Sequence, residues 1–318
     1  MPEVATIDHF TYGPITPILA YALSVLGALL GLTSTKRART TTSPGRRAWF
    51  LLLAAWAIGG TGIWVMHFMA MLGFGVEGSE IRYDVPMTAL SAVIAIVVVG
   101  IGLFTAGYGR PNPLKIILGG IFAGLGVASM HYTGMFAMNI DGTVHYDETL
   151  VAASVAIAVV AATVALWFTV TLQRTASLIA AALVMGVAVC GMHYTGMFAM
   201  EVHLHPGDGA LEGATAFALI LPITLLVIFV VIGLIYALLA APSDEDHAGA
   251  DFINARMAGK GPDSSRLPAG QAGPQPGQPG QQPQPGQLGR PGAPPGSPDP
   301  NGQGTVPRTS VARSFRRR

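Results

Sequence analysis

Seven apolar runs set the limits on what this chain can fold into. They lie near residues 13–35, 48–72, 86–107, 114–138, 150–172, 176–200 and 215–240. Each reaches the roughly 20 residues that a helix needs to cross a bilayer. Hydrocarbon offers no partner to a backbone N–H or C=O, so a spanning segment must satisfy its own. The runs are therefore expected as seven transmembrane helices. Only 11% of the 318 residues are charged, against about a quarter in an ordinary soluble domain. Pro14, Pro17 and Pro222 fall near expected helix starts, where proline is tolerated.

Basic residues orient the bundle. The first connection, 36–47, carries Lys36, Arg37, Arg39, Arg46 and Arg47, the third carries Arg110 and Lys115, and the fifth carries Arg174. The second, fourth and sixth hold nine acids and a single base, Arg82. The positive-inside rule then puts the odd connections and the C-terminus in the cytoplasm and the N-terminus outside. Residues 1–12 contain two acids and no lysine or arginine, so no secretory signal is expected and the first run stays as a helix. From residue 242 the composition shifts to proline, glycine and glutamine, a mixture that cannot bury a core. Residues 242–318 are expected as a disordered cytoplasmic tail, with Arg313, Arg316, Arg317 and Arg318 at its end, where they could touch anionic lipid. The expected organisation is thus an external segment at 1–12, a membrane domain at 13–241 and the tail.

Within the membrane domain one string repeats. MHYTGMFAM occurs at 130–138 and again at 192–200, and a degenerate copy, MHFMAMLGF, occupies 66–74. Each copy ends an apolar run and follows a plain run, which makes three two-helix repeats and leaves the seventh helix for packing or closure. Residues four and seven apart share a helix face. His131, Met135 and Met138 therefore read as one stripe, as do His193, Met197 and Met200, while the first copy offers His67 and Met71. Imidazole with thioether is a ligand pair for a soft or borderline metal, copper foremost. The bland alternatives are methionine as core filler and interhelical hydrogen bonding by histidine, tyrosine and threonine. His67 lies 20 residues past Arg47, His131 lies 16 past Lys115, and His193 lies 19 past Arg174. At 1.5 Å per residue these offsets give about 24–30 Å of rise, so all three imidazoles are expected at one depth near the outer boundary.

The repeated string resembles the MHYT-domain family of bacterial integral membrane proteins, over roughly residues 10–240. That resemblance implies seven membrane helices with the motifs near the outer face. It also implies a metal centre, with copper as the ion, and sensing of oxygen, carbon monoxide or nitric oxide. Position by position it implicates Met66, His67 and Met71, then Met130, His131 and Met135, then Met192, His193 and Met197. The first copy departs from the pattern, with Phe68-Met69 where the others have Tyr-Thr. The preferred ligands are accordingly His131, Met135, His193 and Met197.

Other residues read more simply. Cys190, the one cysteine, is expected to be a small buried hydrophobe. Gly120-x-x-x-Gly124, with Gly119 and Gly126, predicts close helix packing. Trp64 is expected against His67. His9, beside Asp8, reads as a solvated end. His145 near Asp147 and Glu148, and the His203/His205 pair beside Glu201 and Asp208, are outer-loop histidines that could bind a divalent ion. Three functions stay open. The first is a copper-dependent sensor of a diatomic gas or redox state, signalling to a separate cytoplasmic partner from a bacterial plasma membrane. The others are a metal transporter or channel, and a b-type haem protein. Transport would favour ligands at successive depths, and the inner halves of the helices carry no ionisable group. Nothing resembles a nucleophile-base pair, a cyclase, phosphodiesterase or kinase segment, or a nucleic-acid interface, so no enzyme is expected.

Overall fold

The computed structural model describes residues 3–109, 112–204 and 211–240. Arg110, His205, Asp208 and the tail from 242 lie outside the described residues. Among the described residues, seven helices are long and apolar enough to cross a membrane: α1 (Ile15–Thr40), α2 (Pro44–Met71), α3 (Val85–Gly107), α4 (Pro113–Phe136), α5 (Glu148–Thr171), α6 (Thr175–Phe198) and α7 (Ala216–Ala240). Helix α1 runs past its expected end at 35 and takes Lys36, Arg37 and Arg39 into its last turns. Those arginines serve neighbouring helix ends, where unpaired carbonyls carry partial negative charge. The Arg39 guanidinium donates to the Thr169 and Leu172 carbonyls at the end of α5, and Arg37 donates to Leu238 of α7. Arg47 closes the end of α3 through the Gly107 carbonyl.

The three repeats are repeats of hydrogen bonding as well as of sequence. The Thr11 N–H, ahead of α1, donates to the Gly73 carbonyl just past α2 at 2.9 Å. The Asp84 N–H, ahead of α3, does the same to Ala137 past α4 at 2.8 Å, and Asp147, ahead of α5, to Ala199 past α6 at 2.8 Å. Asp84 and Asp147 also cap their helices, accepting from Met87 N–H at 2.7 Å and Leu150 N–H at 2.9 Å. Each pair thus ties its own entry to its own exit. The pairs close on one another, since α6 returns to α1, and α7 lies against the middle of α2. Helix α2 is the most buried of the seven and α7 the least.

Glycine governs the close approaches. A β-carbon on Gly120 would lie 2.6 Å from Thr163 Cα, and one on Gly124 would lie 2.5 Å from Val159 Cα. Helices α4 and α5 therefore meet backbone to backbone, as the small-residue spacing predicts. Gly59 plays the same part between α2 and α3, where a β-carbon would meet the Ala95 carbonyl at 2.7 Å. The glycine-rich stretch Trp56–Val65 of α2 is wound as a π-helix, which places more residues in each turn than an α-helix does.

The motif end of the bundle is covered by short strands that helical periodicity does not reveal. Strands β1 (Glu3–Val4), β2 (Ile7–Asp8), β3 (Gly75–Val76), β4 (Arg82–Tyr83), β5 (Met138–Asn139), β6 (Gly142–Tyr146), β7 (Met200–Leu204) and β8 (Ala214–Thr215) form three small antiparallel sheets. Their orders are β1-β7-β6, β2-β3 and β5-β4-β8. One expectation is corrected here. Met138 and Met200 do not continue the helical stripe, because α4 and α6 end at Phe136 and Phe198 and both methionines open strands. Leaving the helix there lets the exiting backbone find partners in the ladders rather than stand unpaired.

Candidate metal centre

His67, His131 and His193 stand 18 to 23 residues beyond the starts of α2, α4 and α6. Counted from those starts, His67 is five residues later than the other two. The π-helical stretch Trp56–Val65 lies within that longer run, immediately before the first motif copy. The three imidazoles nonetheless meet. His67 Nδ1 lies 3.0 Å from His193 Nδ1 and 3.2 Å from His131 Nδ1. Ring centroids are separated by 5.0–5.1 Å at interplanar angles of 75–83°, so the rings are arranged like the blades of a propeller. All three residues are at most 2% exposed.

This arrangement leaves an electrostatic problem that a cation solves. An imidazole Nδ1 carries either a proton or a lone pair, and His67 Nδ1 faces two others at once. It has one proton or one lone pair to divide between them, so neither contact is a full hydrogen bond. An ion at the centre lets all three lone pairs point inward. Metal–imidazole bonds of about 2.0–2.1 Å place the nitrogens of a three-ligand set roughly 3.3–3.6 Å apart, within a few tenths of an ångström of the observed spacing. Among the described residues these histidines form the one group of three or more metal-ligating His, Cys, Asp or Glu side chains. The donor set therefore fits a metal, and His67 lies at the same spacing as the histidines of the identical copies.

Two of the outer ring nitrogens face bare backbone. Among the described residues no hydrogen-bond partner reaches Nε2 of His67, His131 or His193. A β-carbon on Gly134 would stand 2.2 Å from His67 Nε2, and one on Gly196 would stand 2.3 Å from His131 Nε2. The glycine three residues after one histidine thus seats the imidazole of another repeat. The corresponding position of the first copy is Ala70.

The methionines divide into two levels. Met71, Met135 and Met197, one turn beyond the histidines, share a buried cluster with Met138, Met200, Phe68, Phe74 and Tyr83. Met130 and Met192, immediately before their histidines, belong to the large core of the bundle, and Met66 to a small cluster with Ala20 and Ala70. Five thioethers therefore share one cluster on the strand-covered side, Met138 and Met200 joining it from strands.

The tyrosines of the second and third copies lie edge to face on their neighbouring histidines, at 4.9 Å for Tyr132 on His131 and 4.9 Å for Tyr194 on His193. Tyr132 and Ser154 share a 2.7 Å hydrogen bond between α4 and α5. The first copy has Phe68 in place of that tyrosine, and Trp64 Nε1 supplies the missing donor to Ser91 of α3 at 3.0 Å. Trp64 stacks on Phe68 at 5.9 Å instead of on His67. Cys190 is half-buried and stands apart from the histidine group.

His9 is not a solvated end. Its ring lies 4.5 Å from that of Phe198 and 5.7 Å from that of Phe74, which lids the motif end. Burial holds its imidazole below the usual range, with Asp8 pulling the other way. Nearby in the ladder, burial pushes the Tyr146 hydroxyl up to about 12. On the β6–β7 ladder His145 sits opposite Glu201. His145 and His203 meet edge to face at 5.1 Å, and His203 Nε2 lies 3.4 Å from Glu201 Oε1.

Comparison with known proteins points to signalling. The family model described as "Bacterial signalling protein N terminal repeat", MHYT, matches residues 60–119 and 124–182. The first match includes His67 and the second His131. The bifunctional diguanylate cyclase/cyclic di-GMP phosphodiesterase MucR of Pseudomonas aeruginosa is 34% identical over 226 residues, 66% of this chain and 32% of that protein. Cyclic di-GMP phosphodiesterase NbdA of the same organism is 35% identical over 209 residues, 63% of this chain and 26% of that protein. Signaling protein YkoW of Bacillus subtilis is 27% identical over 207 residues, 61% of this chain and 25% of that protein. The chain spans about a third or less of the length of these relatives. No solved structure matches it.

Proposed function

Because the chain belongs to the MHYT family of bacterial signalling proteins, we propose that it is a membrane sensor built on a copper ion held by His67, His131 and His193. The observation that carries this reading is the convergence of three buried Nδ1 atoms from three repeats at metal-ligand spacing. Copper is favoured over zinc by the layer of methionines one turn beyond, since thioethers suit Cu(I). Copper bound there would supply an affinity for a small diatomic ligand or a change of redox state. The protein's own residues hold the three imidazoles at one level, seat two of them on glycine and keep the centre away from water. A change at the centre bears on three helix pairs at once, which is how a local event becomes a shift in helix packing.

The signal would pass to a separate partner on the cytoplasmic side, with the N-terminus outside and the C-terminus inside. Cyclic di-GMP turnover is the output that the names of MucR and NbdA point to. A b-type haem is disfavoured by the same distances. Two axial nitrogens about 2 Å on either side of a haem iron stand roughly 4 Å apart with a porphyrin between them, and these Nδ1 atoms are closer than that. The test is metal analysis of the full chain purified in mild detergent, with optical spectra before and after reduction. Stoichiometric copper in the parent and its loss in His67→Ala, His131→Ala and His193→Ala is expected. Absence of copper from the parent after loading, or full copper in the histidine variants, refutes the reading.

A further inference from the structure

Directly beneath the histidine centre lies an apolar chamber. Its volume is about 490 Å³, and its lining includes Ile63, Val127 and Val189. These three residues precede His67, His131 and His193 by four positions each, so they form the layer one helical turn below the imidazoles. Met192, adjacent to His193, lines it as well. The inner lining is buried, with Ile63 and Val127 each 6% exposed and Met192 2% exposed. The outer lining is not: Val160 of α5 and Val184 of α6 are 64% and 55% exposed. The chamber therefore runs from the lipid-facing side of the α5–α6 pair to the underside of the centre.

We propose that this chamber is a binding site and lateral entrance for a small uncharged apolar molecule, of the size class of dioxygen, carbon monoxide or nitric oxide, which reaches the centre from the bilayer. The other side of the centre is closed by the methionine cluster and the strands. Thr169 is the one polar residue of the lining, and its hydroxyl is committed to the Leu166 carbonyl at 2.7 Å. A chamber with no free polar partner stays dry, and apolar cavities smaller than this one take up benzene or xenon. Hydrated ions and water are thus excluded, while an apolar diatomic dissolved in the membrane passes. The residues that select the ligand are the valines, alanines and isoleucines of the wall, by refusing charge. The reason for delivering such a ligand rests on the proposed metal centre, whereas occupancy of the chamber does not.

The two are separable by experiment. The metal-free full chain in phosphatidylcholine nanodiscs is placed under xenon pressure, and the saturable ¹²⁹Xe NMR shift is recorded. The parent is expected to show it, and Ala188→Phe and Ala162→Phe, which fill the chamber from α6 and α5, are expected to lose it. Ala152→Phe, on the exposed side of α5 and outside the lining, should keep it. Two filling variants guard against one of them failing to fold, and the elution profile and circular dichroism of each are compared with the parent. In the copper-loaded, reduced protein the same filling variants should slow carbon monoxide association while retaining the metal. No saturable xenon shift in the parent, the result expected if an acyl chain fills the space, overturns the proposal. So does a shift that both filling variants preserve. Xenon binding lost in both variants, with no carbon monoxide binding by the loaded parent, sustains the chamber and counts against the gas-sensing reading alone.

Discussion

Replacing Gly134 with alanine tests the metal centre through a residue that offers no ligand atom. The added β-carbon would stand 2.2 Å from Nε2 and 3.0 Å from Cδ2 of His67. Non-bonded heavy atoms settle at about 3.5 Å or more, so the ring must retreat by roughly 1.3 Å. His67 has no room to do so for free, because Met66, Phe68, Ala70 and Met71 around it are all buried. Metal sites tolerate about 0.2 Å in bond length, far less than this displacement. Gly134→Ala should therefore cost the centre one of its three imidazoles, with about 1–3 kcal/mol of overpacking besides. Gly196→Ala should act on His131 in the same way, the β-carbon arriving 2.3 Å from Nε2. Gly191→Ala is the control. It lies on α6, near His193, with nothing within 4 Å of the new β-carbon, and should be neutral or gain up to about 1 kcal/mol from the helix. Copper per chain by elemental analysis and thermal unfolding in mild detergent are the two readouts. If Gly134→Ala and Gly196→Ala bind copper and melt as the parent does, the imidazoles are not held against these glycines and the geometric account of the centre fails.

Four further outcomes are expected. Loss of any one imidazole should lower bound copper far more than Met200→Leu, because Met200 reaches the cluster from β7 among other thioethers; equal losses would contradict the layered arrangement. Tyr132→Phe removes a 2.7 Å hydrogen bond to Ser154 and should cost about 0.5–1.5 kcal/mol of stability with metal content unchanged, so a loss of copper there would move Tyr132 into the centre. The lowered pKa of His9 means that the unfolded segment takes up a proton more readily than the folded one. Docking of residues 3–10 should hold above pH about 6.5 and weaken as pH falls below it, and His9→Gln should abolish that trend in amide exchange; a trend that persists assigns it to another group. A reporter active only outside the cytoplasm should be silent when fused after Ala240, and activity there would reverse the proposed orientation.

The parts of this fold that were legible in the sequence are those that depend on one helix at a time. Hydropathy alone locates seven spans, since a bilayer imposes length and apolarity on each independently. The shared level of His67, His131 and His193 follows from counting along separate helices, and the small-residue spacing at Gly120 and Gly124 announces a close neighbour without naming it. What escapes is whatever two segments decide together. Strands of two residues, such as β4 and β5, have no periodicity to detect, and they form because the ends of the motif helices are already gathered. Their pairing is what takes Met138 and Met200 off the helical stripe. The π-helical stretch of α2 is similarly invisible, for its apolar composition reads like that of any spanning helix. The degenerate first copy looks like the weakest ligand when read alone. Placed in the most buried helix, its histidine becomes the one whose Nδ1 faces both others. Sequence identity among repeats thus misjudges importance wherever the repeats occupy unequal positions, and the unequal residues, Phe68 with Trp64 for a tyrosine and Ala70 for a glycine, mark where the central helix meets surroundings the other two do not share.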